Sequence, residues 1–353
     1  MPTGLASSVL ALAFCATQAA ALRTVSQLGH GKAAKKPPAS RLCTVERGAF
    51  REAPLPPTQL LQLSSALRVQ SSAGSSASTR RNYSAVRQCK SSRDEIRPLG
   101  PLLLPHLKLA FCYIPKVACT QFKDLFNHLN GFGPETIGFG HHYFESMPKL
   151  MKIRPEDVTR ANGWKFATFT RDPALRYLSA FGSTCVGNEK GYFEHAFECC
   201  GDTVLNTVPS AEMIRHFERR VVQDSLKSVV KNDGHWVEQT ELLKHCSWPK
   251  FKPDRLDFRG HLSGDVNAQV KEMFRVVNYS NDTVVDRFFP PNKTKGHHTP
   301  IKMAAAEDFY KDPMILKAVV KLYEDDYKRL PGVGCSFTEW MLKRTAAKRN
   351  ATK

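Results

Sequence analysis

Two stretches of the chain combine a short apolar run with a helical pattern that begins a few residues later. In the first stretch, residues 108–114 are mostly apolar, which is typical of a strand buried on both faces of a parallel sheet. After Pro115 and Lys116, apolar residues recur at the spacing i, i+3, i+4 and i+7. They are Phe122, Leu125, Phe126 and Leu129. This spacing predicts an amphipathic helix over residues 120–130.

The second stretch repeats the order of strand and helix. Residues 165–170 predict a strand, and Asp172 and Pro173 have the residue types of a helix N-cap and first helical position. A core-facing stripe then follows over residues 173–184. It consists of Ala174, Tyr177, Leu178 and Phe181. Arg176 and Ser179 are three residues apart and are predicted to share a face away from this stripe.

The rest of the apolar pattern completes one α/β domain of about 240 residues, a length that suits a full core. It predicts a third strand over residues 254–259. Four more helices are predicted, over residues 145–151, 209–222, 263–276 and 313–329.

The loop that joins the first strand to its helix is suited to hold a phosphate-like anion. Unpaired amides and the helix dipole provide positive potential at the start of the helix, and Lys116 and Thr120 stand beside them. A Walker loop would need glycines around the lysine, so an ordinary P-loop kinase or NTPase is disfavoured. In the second stretch, Arg171 at the strand end and Ser179 in the helix could together hold a second phosphate. An ordinary capped helix with a surface lysine is the alternative interpretation of the first loop alone.

The two motifs, IPKVACT at residues 114–120 and TRDPALRYLSAF at residues 170–181, resemble the 5′-phosphosulfate and 3′-phosphate signatures of Golgi carbohydrate sulfotransferases. The chondroitin 4-O-, dermatan and HNK-1 sulfotransferases are the most similar group, and the uronyl and heparan 2-O-sulfotransferases are more distant. His235-Trp236 followed by Cys246, and residues 322–327, also fit this family. The chain departs from it at Ala118, where glycine is common, and in residues 254–261, which lack the usual Gly-Lys-x-Glu.

The resemblance implies a P-loop-NTPase-like three-layer α/β sandwich with a central parallel sheet, at residues 99–342. It also implies in-line transfer of a sulfuryl group from 3′-phosphoadenosine 5′-phosphosulfate (PAPS) to a hydroxyl of a glycan or proteoglycan, with no metal. Lys116 would stabilise the charge that develops on the departing phosphate. The implied donor contacts are Pro115, Lys116, Val117, Ala118, Cys119 and Thr120 for the 5′-phosphate, Arg171 and Ser179 for the 3′-phosphate, and Lys293 and Lys295 as secondary contacts. For the last two, an exposed basic loop is the alternative.

The acceptor hydroxyl needs a base, and histidine is suited to neutral pH. His141 and His142 lie in a glycine-bearing turn between the two motifs, in the interval where distant relatives carry a catalytic histidine. Either of them is the first candidate, and His235 is the second. A lone histidine is more often structural than catalytic.

The N-terminal third predicts entry into the secretory pathway. Residues 1–22 carry no charged side chain, and both a cleaved signal peptide and a signal anchor that tethers the chain to a membrane fit them. Residues 23–98 are rich in Ser, Ala, Pro and basic residues and predict a disordered stem. Five N-x-[ST] sequons agree with a location in the Golgi lumen.

The net charge of +18 does not indicate nucleic-acid binding. The stem contributes +10 and a basic tail at residues 343–353 contributes +5, which leaves +3 for the remaining residues. The folded part of the chain is therefore not strongly basic, and no nucleic-acid partner is predicted.

The chain has ten cysteines, one of them in the leader, so at least one of the other nine is unpaired or bridges another chain. Cys112 and Cys119 are predicted to be reduced. The predicted disulfide candidates are Cys185, Cys199, Cys200, Cys246 and Cys335. No C-x-x-C with a matching histidine pair is present, so no zinc site is predicted.

Two other functions compete with a sulfotransferase. One is a catalytically silent, sulfotransferase-like protein that binds glycans, and the other is a small-molecule kinase. Transfer of labelled sulfate by the recombinant protein separates the three.

Overall fold

Two of the three predicted strands form the centre of a four-stranded sheet, and the third lies at its edge. That third strand was predicted at residues 254–259 but is found at Phe258–His261, because Pro253–Arg255 forms a turn of 3-10 helix. A computed structural model describes residues 100–132, 151–188, 190–191, 199, 202–227, 234–244, 246, 251–291 and 305–351. The strands of the central sheet are β1 (Leu102–Leu104), β2 (Leu109–Cys112), β3 (Lys165–Thr170) and β6 (Phe258–His261). They lie in the order β1-β2-β3-β6. A separate pair of parallel strands consists of β4 (Val186–Gly187) and β5 (Val204–Leu205).

The central sheet is mixed rather than wholly parallel. Strands β2, β3 and β6 are parallel, whereas β1 pairs with β2 in the antiparallel direction. The sequence did not indicate β1, because the turn at Pro105–Leu107 divides the apolar stretch and reverses the chain. Cys112 pairs with Thr168 and Thr168 with Arg259, so the carboxyl ends of β2, β3 and β6 reach the same edge of the sheet.

The helices predicted at 120–130, 173–184, 209–222 and 263–276 are present, three of them with somewhat different ends, and four further helices of the described residues were not predicted. The described α-helices are α1 (Cys119–Leu129), α2 (Pro173–Thr184), α3 (Ser210–Lys227), α4 (Gln239–Lys244), α5 (Val266–Arg275), α6 (Asp282–Phe288), α7 (Ala306–Phe309), α8 (Pro313–Leu322), α9 (Glu324–Arg329) and α10 (Thr338–Ala351). The predicted helix at 313–329 is two helices, since the chain departs from helical geometry at Tyr323. The helix predicted at 145–151 lies almost wholly outside the described residues. None of the described helices is long and apolar enough to span a membrane.

Aromatic packing fixes α1 against the sheet. Phe122 of α1 lies with its ring centroid 4.4 Å from that of Phe111 on β2 and 4.9 Å from that of Phe169 on β3. All three side chains are buried. Because α1 is held in this way, its first turn stands directly beyond the carboxyl end of β2.

A disulfide on the opposite face of β2 corrects one prediction. Cys112, predicted to be reduced, is bonded to Cys246, with the two Cα atoms 5.9 Å apart. Successive residues of a strand point to opposite faces, so Cys112 points away from the face that Phe111 presents to α1. A buried cysteine in an apolar run looks like core from the sequence, because the segment that carries its partner is distant in the chain.

The other described cysteines agree with their predictions. Cys185 is bonded to Cys199, and Cys335 is also disulfide-bonded. Cys119 is free.

We expect Gly260→Ala to lower the free energy of unfolding by about 1–3 kcal/mol. A Cβ atom at Gly260 would overlap the ring of Phe169. That ring packs against Phe122 and Phe258, and therefore has no room to move. Urea denaturation followed by circular dichroism measures the change.

Gly234→Ala is the matched control, because a Cβ atom there would be at an ordinary contact distance, 3.6 Å, from Pro115 Cγ. Equal losses for the two variants would contradict the packing at Gly260.

Candidate functional site

The loop between β2 and α1 has two residues in the left-handed region of backbone conformation. Lys116 has a φ of 68° and Ala118 has a φ of 52°. Ala118 is the N-cap of α1, and no side chain bonds the cap. Left-handed geometry is unfavourable for residues other than glycine, so contacts from outside the loop must stabilise this conformation.

Three carbonyl groups of this loop accept hydrogen bonds from groups inside the protein. The Ile114 oxygen accepts from the Val117 amide at 3.1 Å. The Pro115 oxygen accepts from Arg176 Nε at 3.0 Å, and the Lys116 oxygen accepts from the Arg171 guanidinium at 3.0 Å. These three carbonyl oxygens thus accept hydrogen bonds from donors within the protein and are not directed at a ligand.

The start of α1 has the features of an anion-binding helix terminus. The first amides of a helix have no partner within it. In α1 no acidic residue lies in the first turn, and Cys119 and Thr120 are its first two residues, both half-buried. The helix dipole and these amides favour a phosphate-like group at this position.

Arg176 is fully buried, and this corrects the prediction that it shares an outward face with Ser179. Besides the Pro115 carbonyl, its guanidinium donates to the Val237 oxygen at 2.6 Å and to the Gly234 oxygen at 2.8 Å. The segment before α4 covers this face of α2 and supplies acceptors where solvent was expected. Ser179 is half-buried on α2, as a ligand contact requires.

The contact of Arg171 with the Lys116 carbonyl brings the two sequence motifs together. Burial lowers the pKa of Arg171 to about 10, and Asp172 opposes this shift while Arg176 adds to it. With a pKa near 10 the guanidinium is charged at neutral pH. The second motif therefore places a cation beside the first loop.

A buried amide and carboxylate hold the main chain of Arg171. The Gln239 side chain accepts from the Arg171 amide at 2.9 Å and donates to the Arg171 carbonyl at 2.8 Å. Asp326 in turn accepts from the main-chain amides of Gln239 and Thr240 at 2.9 and 2.8 Å. Sequence reasoning did not assign roles to Gln239 or Asp326. For Asp326, the sequence signal that could have indicated a role was the acidic run within residues 322–327.

Of the histidines proposed as the base, His235 is the one within the described residues. Its side chain is half-buried. The residues on either side of it are held by hydrogen bonds: the Gly234 carbonyl accepts from Arg176, and the Trp236 carbonyl accepts from the Tyr323 hydroxyl at 2.5 Å. Gly234 lies directly beside Pro115. The segment that carries His235 is thus fixed next to the loop. The other predicted site residues that lie outside the described residues are His141, His142, Lys293 and Lys295.

Both motifs, their interlocking contacts and the mixed sheet fall within residues 102–331, which match the model of the Sulfotransferase family. The chain belongs to the sulfotransferase family. This confirms the resemblance noted in the sequence and agrees with the α/β fold.

This sulfotransferase is similar to the curated protein Carbohydrate sulfotransferase 9 of Homo sapiens, with 33% identity over 153 residues. The matched region is 39% of this chain and 33% of that protein, so the chain spans about a third of the length of this relative. No solved structure matches the sulfotransferase.

We expect Ala118→Gly to raise the free energy of unfolding by up to about 1 kcal/mol. Glycine removes the cost of left-handed geometry, while its greater freedom in the unfolded chain offsets part of the gain. Denaturant titration of the sulfotransferase measures the change.

The same substitution at Ala268, an exposed position inside α5, is the control. It should lower stability by about 1 kcal/mol because glycine is unfavourable within a helix. A destabilised Ala118→Gly variant would contradict the left-handed conformation of the loop.

Proposed function

We propose that this sulfotransferase moves a sulfuryl group from PAPS to a hydroxyl group of a glycan or proteoglycan. The observation that carries the proposal is the contact between the Arg171 guanidinium and the Lys116 carbonyl. It joins two loops that each suit a phosphate, and PAPS carries phosphate on both its 5′ and 3′ positions.

The positions of the described residues support this proposal. The uncapped first turn of α1, with Lys116, Val117, Ala118, Cys119 and Thr120, would hold the 5′-phosphosulfate. Arg171 and Ser179 would hold the 3′-phosphate. Arg171 is already positioned by Gln239, so the donor would meet a cation whose main chain is fixed.

In the proposed reaction, the acceptor oxygen attacks sulfur as the bond from sulfur to the bridging phosphate oxygen breaks. Lys116 would stabilise the negative charge that collects on that oxygen. A histidine would take the proton of the acceptor hydroxyl, and the products are a sulfate ester and adenosine 3′,5′-bisphosphate. His235 gains support as the base from its position beside the loop, while His141 and His142 stay predictions.

Further observations support the proposal of a carbohydrate acceptor and of a secretory compartment. The name of the human relative indicates a carbohydrate substrate for that protein. Disulfides at Cys112–Cys246 and Cys185–Cys199 are expected of a protein that folds in an oxidising compartment. Together with the leader and the sequons, they favour the Golgi lumen, with residues 1–22 as signal peptide or membrane anchor.

The direct test is a panel of glycan acceptors incubated with the full chain and labelled PAPS, followed by mass spectrometry of the products. Sulfate on at least one glycan supports the proposal. Glycan binding without transfer would identify a silent binding protein, and phosphate transfer from ATP would identify a kinase.

We expect Lys116→Ala to reduce the rate of sulfate transfer by about 100-fold or more, since one positioned charge at the leaving group is lost. Single-turnover kinetics with saturating donor measure this effect. Lys252→Ala, at an exposed lysine, is the control and should leave the rate unchanged. A Lys116→Ala variant with the parent rate would contradict the role of the lysine.

Ser179→Ala should weaken the binding of adenosine 3′,5′-bisphosphate by about 10-fold and leave that of adenosine 5′-monophosphate unchanged. The expected loss is that of one hydrogen bond to a charged phosphate. Isothermal titration calorimetry gives both affinities.

Ser183→Ala is the matched variant one turn later in α2, where the hydroxyl donates to the Ala180 carbonyl at 3.1 Å. It should preserve the preference for the bisphosphate. If Ser179→Ala also preserves it, the serine does not contact the 3′-phosphate.

A further inference from the structure

A third strand ends at the edge of the sheet where the two motifs meet. His261 is the last residue of β6 and pairs with Thr170, the residue before Arg171. The register places Cys112, Thr168 and Arg259 at one level across β2, β3 and β6, and His261 lies two residues beyond that level, opposite Thr170. Adjacent strands are about 5 Å apart, so His261 lies about 5 Å from β3 and about 10 Å from β2 in this direction.

The imidazole of His261 has one bonded and one unbonded nitrogen. Nδ1 lies 3.0 Å from the Thr170 hydroxyl, which fixes the ring against β3. No described residue bonds Nε2, and the ring is only half-buried. A Cβ atom at Gly332 would lie 3.5 Å from Nε2, so the glycine leaves that nitrogen without a covering side chain at this position.

Positive charge beside His261 lacks a carboxylate partner in the described part of the chain. Arg259 is two residues earlier on the same face of β6, and its Nε is buried without a hydrogen-bond partner among the described residues. The acidic residues nearest in sequence are engaged elsewhere. Asp257 pairs with Arg160 at 3.0 Å, and Asp265 caps α5 by accepting from the Ala268 amide. This positive charge without a carboxylate partner favours an anionic ligand.

We propose that His261 contacts the 3′-phosphate of the donor and takes up a proton when that phosphate binds. The inference rests on the proposed function, which places the 5′-phosphosulfate after β2 and the 3′-phosphate at Arg171 after β3. The donor thus extends from β2 toward β6, and its 3′-phosphate end is the end nearer His261.

Protonation follows from the charges around the ring. Among the described residues, the groups that face it are Thr170 from β3, Arg259 from β6 and Gly332 after α9, and Arg259 is the charged one of these. Burial and Arg259 lower the pKa of His261, so the ring is neutral at pH 7 before the ligand binds. A dianionic phosphate stabilises the imidazolium and raises that pKa. Binding therefore strengthens as the pH falls through the raised pKa of the complex.

The test is calorimetric titration of the full chain with adenosine 3′,5′-bisphosphate and with adenosine 5′-monophosphate at pH 7.0 and 8.5. Both pH values lie above the second phosphate pKa of about 6, so the nucleotides themselves change little. For the parent protein we expect bisphosphate affinity to rise roughly threefold from pH 8.5 to 7.0, and proton uptake to appear as a dependence of the heat on buffer. The monophosphate should show neither effect.

Three variants test whether His261 acts through its positive charge or only through its structural contacts. His261→Gln should weaken bisphosphate binding at pH 7.0 and remove its pH dependence. His261→Lys should restore the affinity and remain independent of pH. His106→Gln, at an exposed histidine beyond the opposite edge of the sheet, should behave like the parent. Thermal melting confirms that each variant folds.

The outcomes distinguish this inference from the function on which it rests. If the parent prefers the bisphosphate and His261→Gln keeps both that preference and the pH dependence, the role of His261 is overturned and the donor assignment stands. Equal weakening of both nucleotides in His261→Gln and His261→Lys would mean that the histidine is structural, which also overturns it. Failure of the parent to bind either nucleotide overturns both proposals.

Discussion

The position of the loop after β2 depends on one buried guanidinium. Arg176 donates to main-chain oxygens of Pro115, Gly234 and Val237, and therefore joins the loop to the segment before α4. A buried charge is costly unless its donors are satisfied. Here main-chain carbonyl groups accept the hydrogen bonds of the Arg176 guanidinium, and each of these carbonyl groups gains a donor at the same time. The unfavourable backbone geometry at Lys116 and Ala118 is retained because these bonds, with that of Arg171, hold the loop on both sides.

Two buried carboxylates extend this support to the C-terminal part of the chain. Asp172 caps α2 through the Ala174 amide and also accepts from the amide and hydroxyl of Thr338. Asp326 binds the first amides of α4. Burial raises the pKa of each carboxyl group, and the hydrogen bonds from amides oppose the shift. The C-terminal elements therefore take part in the site by fixing the main chain from which Arg171 projects.

The sequence predicts the parts of this structure that depend on local pattern. The strands that become β2 and β3, the helix α1, and the cap at Asp172 with Pro173 follow from apolar spacing and residue type. Contacts between distant segments were not predictable in this way. An arginine in a helix looks exposed until a loop brings carbonyl groups to it, as happens to Arg176. Cys112 looks like a core residue until Cys246 is placed opposite.

The same limit applies to the site. Lys116 and Arg171 could be selected because each follows a strand, and parallel strands end at one edge. Gln239 and His261 could not be selected, because their importance comes from the register and from the path of the chain between strands. A glutamine whose side chain bonds both the amide and the carbonyl of a distant residue cannot be recognised from the sequence around it.

The Cys112–Cys246 bond closes a covalent ring that begins at the last residue of β2 and contains α1, β3 and α2 but not β6. Closing a ring over a sequence separation of 134 residues removes much of the freedom of the unfolded chain, about 5 kcal/mol in the entropic model. Both cysteines are synthesised before β6 and before the closing helices. The bond can thus form before β6 joins the sheet, and the two sequence motifs are held within one ring from that moment on.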